Sequence, residues 1–253
     1  MSPFELLEPA TLAEAVALLE DEDTRPFSGG TALMLMMKAG VLRPKRLVSL
    51  RRLGLDRIES GASLRVGAMT TLRVLEKSEA VQRGWPVITK MLRTLSNVRV
   101  RNVATVGGAL AHAEPHMDLP PLLAALGARV TINGERSMPV EELYAGYLEN
   151  TLRRNELITH VDIPSLGSKR AAYLKCTTRS ADDWPAVGVA VVLGQEERIF
   201  VCAATDRPTR IGSEKDIADL PIEGDLHGSA EYKRQLLKVY LKRAMHEARN
   251  ASH

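Results

Sequence analysis

Aromatic side chains are scarce, at 4% of the 253 residues: three phenylalanines, five tyrosines and two tryptophans. The stacking platform that single-stranded nucleic acid needs is therefore lacking. No excess of charge of one sign compensates, since 34 basic residues face 31 acidic ones for a net +3. That is too little to argue for duplex binding. Cysteine is almost missing. Cys176 and Cys202 lie far apart, two thiolates do not complete an iron–sulfur cluster, and no Cys/His spacing suggests zinc. No apolar run reaches the roughly 20 residues that cross a bilayer. The start, Met1-Ser2-Pro3-Phe4-Glu5, has neither a basic region nor an apolar signal core. A cytoplasmic chain without a membrane span and without a nucleic-acid partner is the expectation. With 45% hydrophobic and 26% charged residues, the remainder is ordinary for a globular protein of one or two domains. Internal repeats and low-complexity segments are absent.

What the sequence does have is paired glycine. The stretch from 99 to 121 holds Thr105-Val106-Gly107-Gly108, then small residues to Ala113, then Glu114, His116 and Asp118 ahead of Leu119-Pro120-Pro121. Adjacent glycines permit positive φ and close approach of another molecule to the peptide plane. Successive exposed N–H groups in such a turn suit phosphate. A second turn lies upstream, Phe27-Ser28-Gly29-Gly30-Thr31-Ala32-Leu33, opening a short helix over Met34 to Lys38. Neither turn is G-x-G-x-x-G or G-x-x-x-x-G-K-[ST], so the dinucleotide fingerprint and the P-loop are both missing. Together the two turns fit a ligand with two phosphates held from two sides.

Taken in order, Thr11 to Glu20 reads as a capped helix with Leu12, Ala15, Val16, Leu18 and Leu19 on one face. Arg25 to Phe27 and Arg46 to Leu50 have strand character. Asp56 to Gly67 suggests a hairpin through Glu59-Ser60-Gly61-Ala62, and Thr70-Thr71 and Trp85 each begin a helix. Val98 to Val106 is expected to be extended, and Leu122 to Leu126 a buried helix stopped by Gly127. Ala128 to Arg136 enters an Asn-Gly turn, the sharpest hairpin signal in the chain. Val140 to Tyr144 reads as helical and Glu156 to Pro164 as a strand. Ile163 to Ser168 looks like a boundary. Beyond it, 171–177 and 184–193 read as strand or buried helix, Arg198 to Ala204 as a strand, and Thr205 to Arg210 as a turn. Two helices close the chain, Glu214 to Leu220 and Ser229 to Ala248, the second with a solvated Lys/Arg face.

Ser28-Gly29-Gly30-Thr31, Arg101-Asn102-Val103-Ala104-Thr105-Val106-Gly107-Gly108 and Asp118-Leu119-Pro120 resemble the FAD-binding medium subunit of the xanthine dehydrogenase/carbon monoxide dehydrogenase family of molybdenum hydroxylases. The resemblance spans almost the whole length, through Pro9 with Leu12 to Leu19, Tyr173-x-Lys175 with Arg179, and Ser229-Ala230-Glu231-Tyr232. It implies an α+β fold. A p-cresol methylhydroxylase-type FAD-binding domain over 1–166, with subdomains about 1–55 and 56–166, would precede a smaller α/β domain over 168–253.

The resemblance also implies where FAD would sit. Phe27, Ser28, Gly29, Gly30, Thr31, Ala32 and Leu33 would line the pyrophosphate, and Thr105, Val106, Gly107, Gly108 and Ala109 would meet it from the other side. Ala109 departs from the family, which usually has asparagine there, and one polar contact is lost with it. Asp118 would lie near the ribityl chain and flavin, with a helix N-cap as its purely structural role. Lys175 aligns with a family lysine near the cofactor, or is a surface lysine; Ile158 would pack on adenine, or in the core. His112 and His116 lack a third metal ligand. Thr31 stands where covalent relatives carry histidine, so FAD is expected to be non-covalent. Molybdopterin and [2Fe-2S] clusters belong to partners, a large and a small subunit in a dimer of heterotrimers. Electrons would leave for NAD, oxygen, a quinone or a carrier, and no residue here need act as acid, base or nucleophile. A stand-alone flavin reductase or oxidase of the same fold is the alternative.

Overall fold

The structure is a computed structural model describing residues 1–251, whose strands form three main sheets and a short hairpin. The last two residues of the segment expected over 168–253 lie outside the described residues. The first sheet takes β1 (Glu5–Leu7), α1 (Leu12–Leu18), β2 (Thr24–Phe27), α2 (Leu33–Lys38) and β3 (Arg46–Ser49). β3 is central and pairs in parallel with both neighbours, which requires the crossovers that the helices provide. Thr11 caps α1 by accepting the Glu14 N–H, while the Glu14 carboxylate accepts the N–H of Ala10. Ala15 and Leu19 pack on Val48 and Leu50 in a small core of their own.

The second sheet begins with the expected hairpin, β4 (Ile58–Ser60) and β5 (Ser63–Gly67). A run of helices follows: α3 (Leu72–Lys77), α4 (Glu79–Gly84), α5 (Pro86–Thr94), α6 (Val98–Arg101), α7 (Val106–Ala111) and α8 (Leu119–Ala125). The chain then returns through β6 (Arg129–Ile132), β7 (Arg136–Pro139), β8 (Tyr144–Gly146), β9 (Glu149–Asn150) and β10 (Ile158–Pro164). The sheet runs β4-β5-β10-β6-β7, antiparallel throughout. Asn133 and Gly134, at φ 52° and 78°, make the turn between β6 and β7, as their dipeptide demands. Leu64, Val66, Leu72, Ile88, Leu92, Leu110 and Leu122 join the largest core between this sheet and its helices.

The extended run expected over Val98 to Val106 is helical instead. Asn97 accepts the Val100 N–H and caps α6, and Arg101 is drawn inside, donating to the Glu76 carboxylate at 3.0 Å and to the Leu95 carbonyl at 2.9 Å. A cap and a buried ion pair outweigh the β-propensity of two valines, a term worth only tenths of a kcal/mol per residue. Of the run, Thr105 alone keeps a bridge, to Thr71. Val140 to Leu143 is a 3₁₀ turn. α8 starts three residues before Leu122, because proline is tolerated in a first helical turn.

The third sheet is an antiparallel meander, β11 (Arg170–Thr177), β12 (Pro185–Leu193), β13 (Arg198–Cys202) and β14 (Thr209–Ile211). Both segments left open between strand and helix are strands. β12 is covered on both faces: Val187, Val189 and Val191 meet the core beneath α9 (Ala230–Asn250), and Ala190 and Val192 meet the larger core beside α8. A strand buried on two sides loses the polar alternation that would mark it in sequence. The fold is α+β, and no described helix is long and apolar enough to cross a membrane.

Candidate functional site

The two glycine turns, 76 residues apart in order of chain from Gly29 to Thr105, touch each other. The Thr105 hydroxyl donates to Ser28 Oγ at 3.2 Å, and itself accepts the Gly108 N–H at 3.1 Å. Contact requires glycine. A Cβ on Gly29 would fall 2.0 Å from the Val103 carbonyl oxygen, and one on Gly30, at φ +70°, would meet the Phe27 ring at 2.6 Å. One on Gly107 would sit 2.6 Å from Ala68 Cβ.

The second turn differs from the expected one. Gly107 and Gly108 have no positive φ; they form the first turn of α7, capped by Thr105. Their N–H groups are engaged, with Val106 donating to Thr70, Gly107 to Ala68, Gly108 to Thr105 Oγ1 and Ala109 to Thr105. The first turn is open by contrast. Among the described residues, the N–H groups of Gly29, Gly30 and Thr31 find no acceptor, on a half-buried loop. Consecutive free amides at a close approach of two backbones make an anion cradle. So Ser28 to Leu33 can supply a run of donors, while Thr105 to Ala109 can supply shape, a hydroxyl and the one unengaged amide of Thr105. Ala109 is buried in the core.

Asp118 does not cap α8. It occupies the N-cap position without a side-chain cap bond and turns inward, 5% exposed. Its Oδ1 accepts from the Tyr173 hydroxyl at 2.5 Å and its Oδ2 from Lys175 Nζ at 3.0 Å. Lys175 is no surface residue either, since only 6% of its side chain is exposed and it also donates to the Asp183 carbonyl. Tyr173 and Lys175, two apart on β11, share one face of the strand. Burial pushes the Asp118 carboxyl above the usual aspartate range, against the pull of the Lys175 charge and the Tyr173 hydroxyl. Burial, then the Asp118 charge, drives Tyr173 far up, so its proton stays and is donated. Burial likewise pushes up the Cys202 thiol.

Room for this group comes from Gly188 on β12, paired with Lys175 on one side and Cys202 on the other. A Cβ there would collide with both Cys202 Sγ and the Tyr173 hydroxyl at 2.5 Å. Sequence reasoning singled out Asp118 and Lys175 but missed the part of Gly188, whose partners meet only through sheet register. Tyr173-x-Lys175 did carry a signal, the period of two. Ile158 is buried in the main core at the start of β10, opposite Ile132. Phe27 ends β2 and lies under Gly30. No group of three or more potential ligands among the described residues could hold a metal ion.

Residues 2–166 match the family described as the FAD binding domain in molybdopterin dehydrogenase. The chain is 28% identical to the glyceraldehyde dehydrogenase medium chain of Sulfolobus acidocaldarius, over 96% of this chain and 98% of that one. It is 30% identical to the nicotine 6-hydroxylase medium subunit of Paenarthrobacter nicotinovorans, over 95% of each. Among solved structures, carbon monoxide dehydrogenase from Hydrogenophaga pseudoflava superposes with a TM-score of 0.93 at 28% identity, covering 98% of this chain and 97% of that one.

Proposed function

This chain belongs to the family of FAD-binding domains of molybdopterin dehydrogenases, and we propose that it is the medium subunit that carries electrons out of a molybdenum hydroxylase complex. Its cofactor is FAD, and the molybdopterin and iron–sulfur centres belong to other subunits. The two cysteines agree with that division, since one is buried and protonated and the other lies on β11. FAD held by these residues would supply redox chemistry between [2Fe-2S] clusters of a small subunit and an acceptor such as NAD, oxygen, a quinone or a carrier.

The observation that carries the reading is the open loop of Gly29, Gly30 and Thr31, held against Val103 and Thr105 at a distance only glycine permits. These residues fit a pyrophosphate. Three free amides would each donate to a phosphate oxygen, at about 1.5–3 kcal/mol for a charged acceptor. Gly107 and Gly108 would keep the facing wall close, and Thr105 would hold Ser28 in place. Asp118, fixed by Tyr173 and Lys175, would orient a polar group of the cofactor, and Ile158 an apolar one. No side chain is assigned to proton transfer.

The division into a flavin domain over 1–166 and a C-terminal domain over 168–253, the cytoplasmic location and the assembly as a dimer of heterotrimers with small and large subunits belong to the same proposal. Its test is the native complex. Intact mass spectrometry should find one FAD per chain of this kind alongside subunits bearing iron–sulfur and molybdopterin. Purified alone, the chain should reduce dyes with dithionite or a reduced nucleotide but turn over no aldehyde, purine or N-heteroaromatic substrate. Substrate turnover by this polypeptide alone would instead make it a stand-alone flavoenzyme.

A further inference from the structure

Beside the Asp118 site lies a second polar cluster, buried at Glu114 and Lys233 and open to solvent at Asp225, built from parts of the chain distant in sequence. His116 Nδ1 bonds the Glu114 carboxylate at 2.8 Å and its Nε2 bonds the Asp225 carboxylate at 2.8 Å. Lys233, on α9 and 1% exposed, donates to Asp225 at 2.6 Å and to the Ala203 carbonyl at 2.7 Å. The Ala203 N–H donates to the Pro115 carbonyl, so the segment 114–116 is stitched to both β13's end and α9. The imidazole is flanked by the Trp184 and His227 rings, at 5.6 and 5.3 Å between centroids.

A neutral imidazole has one N–H and one acceptor nitrogen, whereas a carboxylate only accepts. Both bonds of His116 therefore exist together only in the imidazolium. The charges agree: Glu114 and Asp225 are matched by Lys233 and a protonated His116. Burial alone would lower the imidazole; hydrogen bonds and charge from Glu114 and Asp225 outweigh it and hold His116 above the ordinary histidine value. Asp225 is held down, to about 2, since Lys233, His116 and the His227 N–H outweigh the effect of burial. The other titratable groups around it are His112, which burial lowers below the ordinary histidine value against the pull of the Glu114 charge, the buried Cys202 thiol, the His227 ring, and Asp183 next to Trp184. The Asp118–Lys175 pair follows two residues after His116.

We propose that His116, as its imidazolium, is the positioning residue that pins the 114–118 segment, and with it Asp118, to the C-terminal part of the chain, so that cofactor retention weakens when this proton is lost to solvent. The inference rests on the flavin reading above and adds to it a residue and a pH dependence. His116 binds its proton more tightly folded than unfolded. Its contribution is thus complete below the unfolded value of about 6.5 and disappears as pH rises through the elevated folded value.

The test uses the full chain, with FAD affinity from flavin fluorescence at pH 6 and pH 9 and ring-nitrogen NMR of His116. For the wild type, affinity should fall about tenfold between the two, the equivalent of one charge-assisted hydrogen bond, while the ring loses a proton. His116→Gln should bind at pH 6 as the wild type does at pH 9, with a flat profile. Asp225→Asn, which keeps an acceptor but removes its charge, should shift the wild-type transition to lower pH. An unchanged pH profile in His116→Gln would overturn the proposal. So would a His116 ring found neutral at pH 6.5 in the wild type, which needs no variant to fold. Absence of FAD binding at every pH, with His116 still titrating, would sink the flavin reading itself and this inference with it.

Discussion

Gly29→Ala adds one methyl group where the structure has least room for it. The new Cβ would sit 2.0 Å from the Val103 carbonyl oxygen, 2.8 Å from its carbon and 3.0 Å from Ala104 Cα. All three are backbone atoms, so no rotamer change relieves the overlap. The contact is about 1 Å inside the closest approach that Cβ atoms make, and the two glycine loops must move apart by that much. Overpacking costs typically 1–3 kcal/mol, and rigid backbone on both sides places this change near 3. The Ser28–Thr105 hydrogen bond, already 3.2 Å, would open, and the cradle of amides would lose its facing wall. Losing one or two charged hydrogen bonds costs about 3 kcal/mol, roughly a hundredfold in Kd. Flavin-to-protein stoichiometry of purified Gly29→Ala, with FAD titration of the apoprotein and a melting curve, measures this. Gly61→Ala is the control, because a Cβ there meets nothing within 4 Å. Full flavin content in Gly29→Ala, at unchanged melting temperature, would refute the placement of the cofactor at this contact.

Two further substitutions probe the same site. Lys175→Met should destabilise the fold by about 3 kcal/mol in urea unfolding, since breaking a buried pair strands its partner, here Asp118 with both side chains 6% exposed; Asp118→Asn in the same chain should recover much of it. Gly107→Val should give a folded, flavin-poor protein by pressing on Ala68, whose Cβ lies 2.6 Å from the position a Cβ would take; normal occupancy on absorbance would show that this wall does not shape the site.

Much of the fold was legible in the chain because its signals are local. The Thr11 cap, the Asn133-Gly134 turn and the alternation of β5 each depend on neighbours within a few residues, and each stands where the pattern puts it. The glycine pairs were legible as well, as places where a backbone must come close. Which backbone comes close was not. Gly29 is glycine because of Val103, Gly107 because of Ala68, and Gly188 because of Tyr173 and Cys202. The positive φ that a glycine pair suggests holds at Gly30 but not at Gly107 or Gly108, where helix geometry was chosen by the Thr105 cap and the bonds to Ala68 and Thr70.

Side-chain partnerships were decided only in three dimensions. Asp118 as a helix cap and Lys175 as a surface residue are sound readings of a chain whose partners are unknown; 57 residues separate them, and burial forces them together. The same holds for His116, which sequence can compare only with a metal ligand or a point of covalent flavin attachment. Asp225 lies 109 residues further on. A buried charge must find its opposite wherever the fold brings one, and that requirement has no period or spacing along the chain. The Thr11 cap and the Asn133-Gly134 turn act over a few residues and so were determined by sequence alone, whereas the helical form of 98–101, the pairing of buried charges and the fit of glycine against distant backbone depend on packing and so belonged to the tertiary structure.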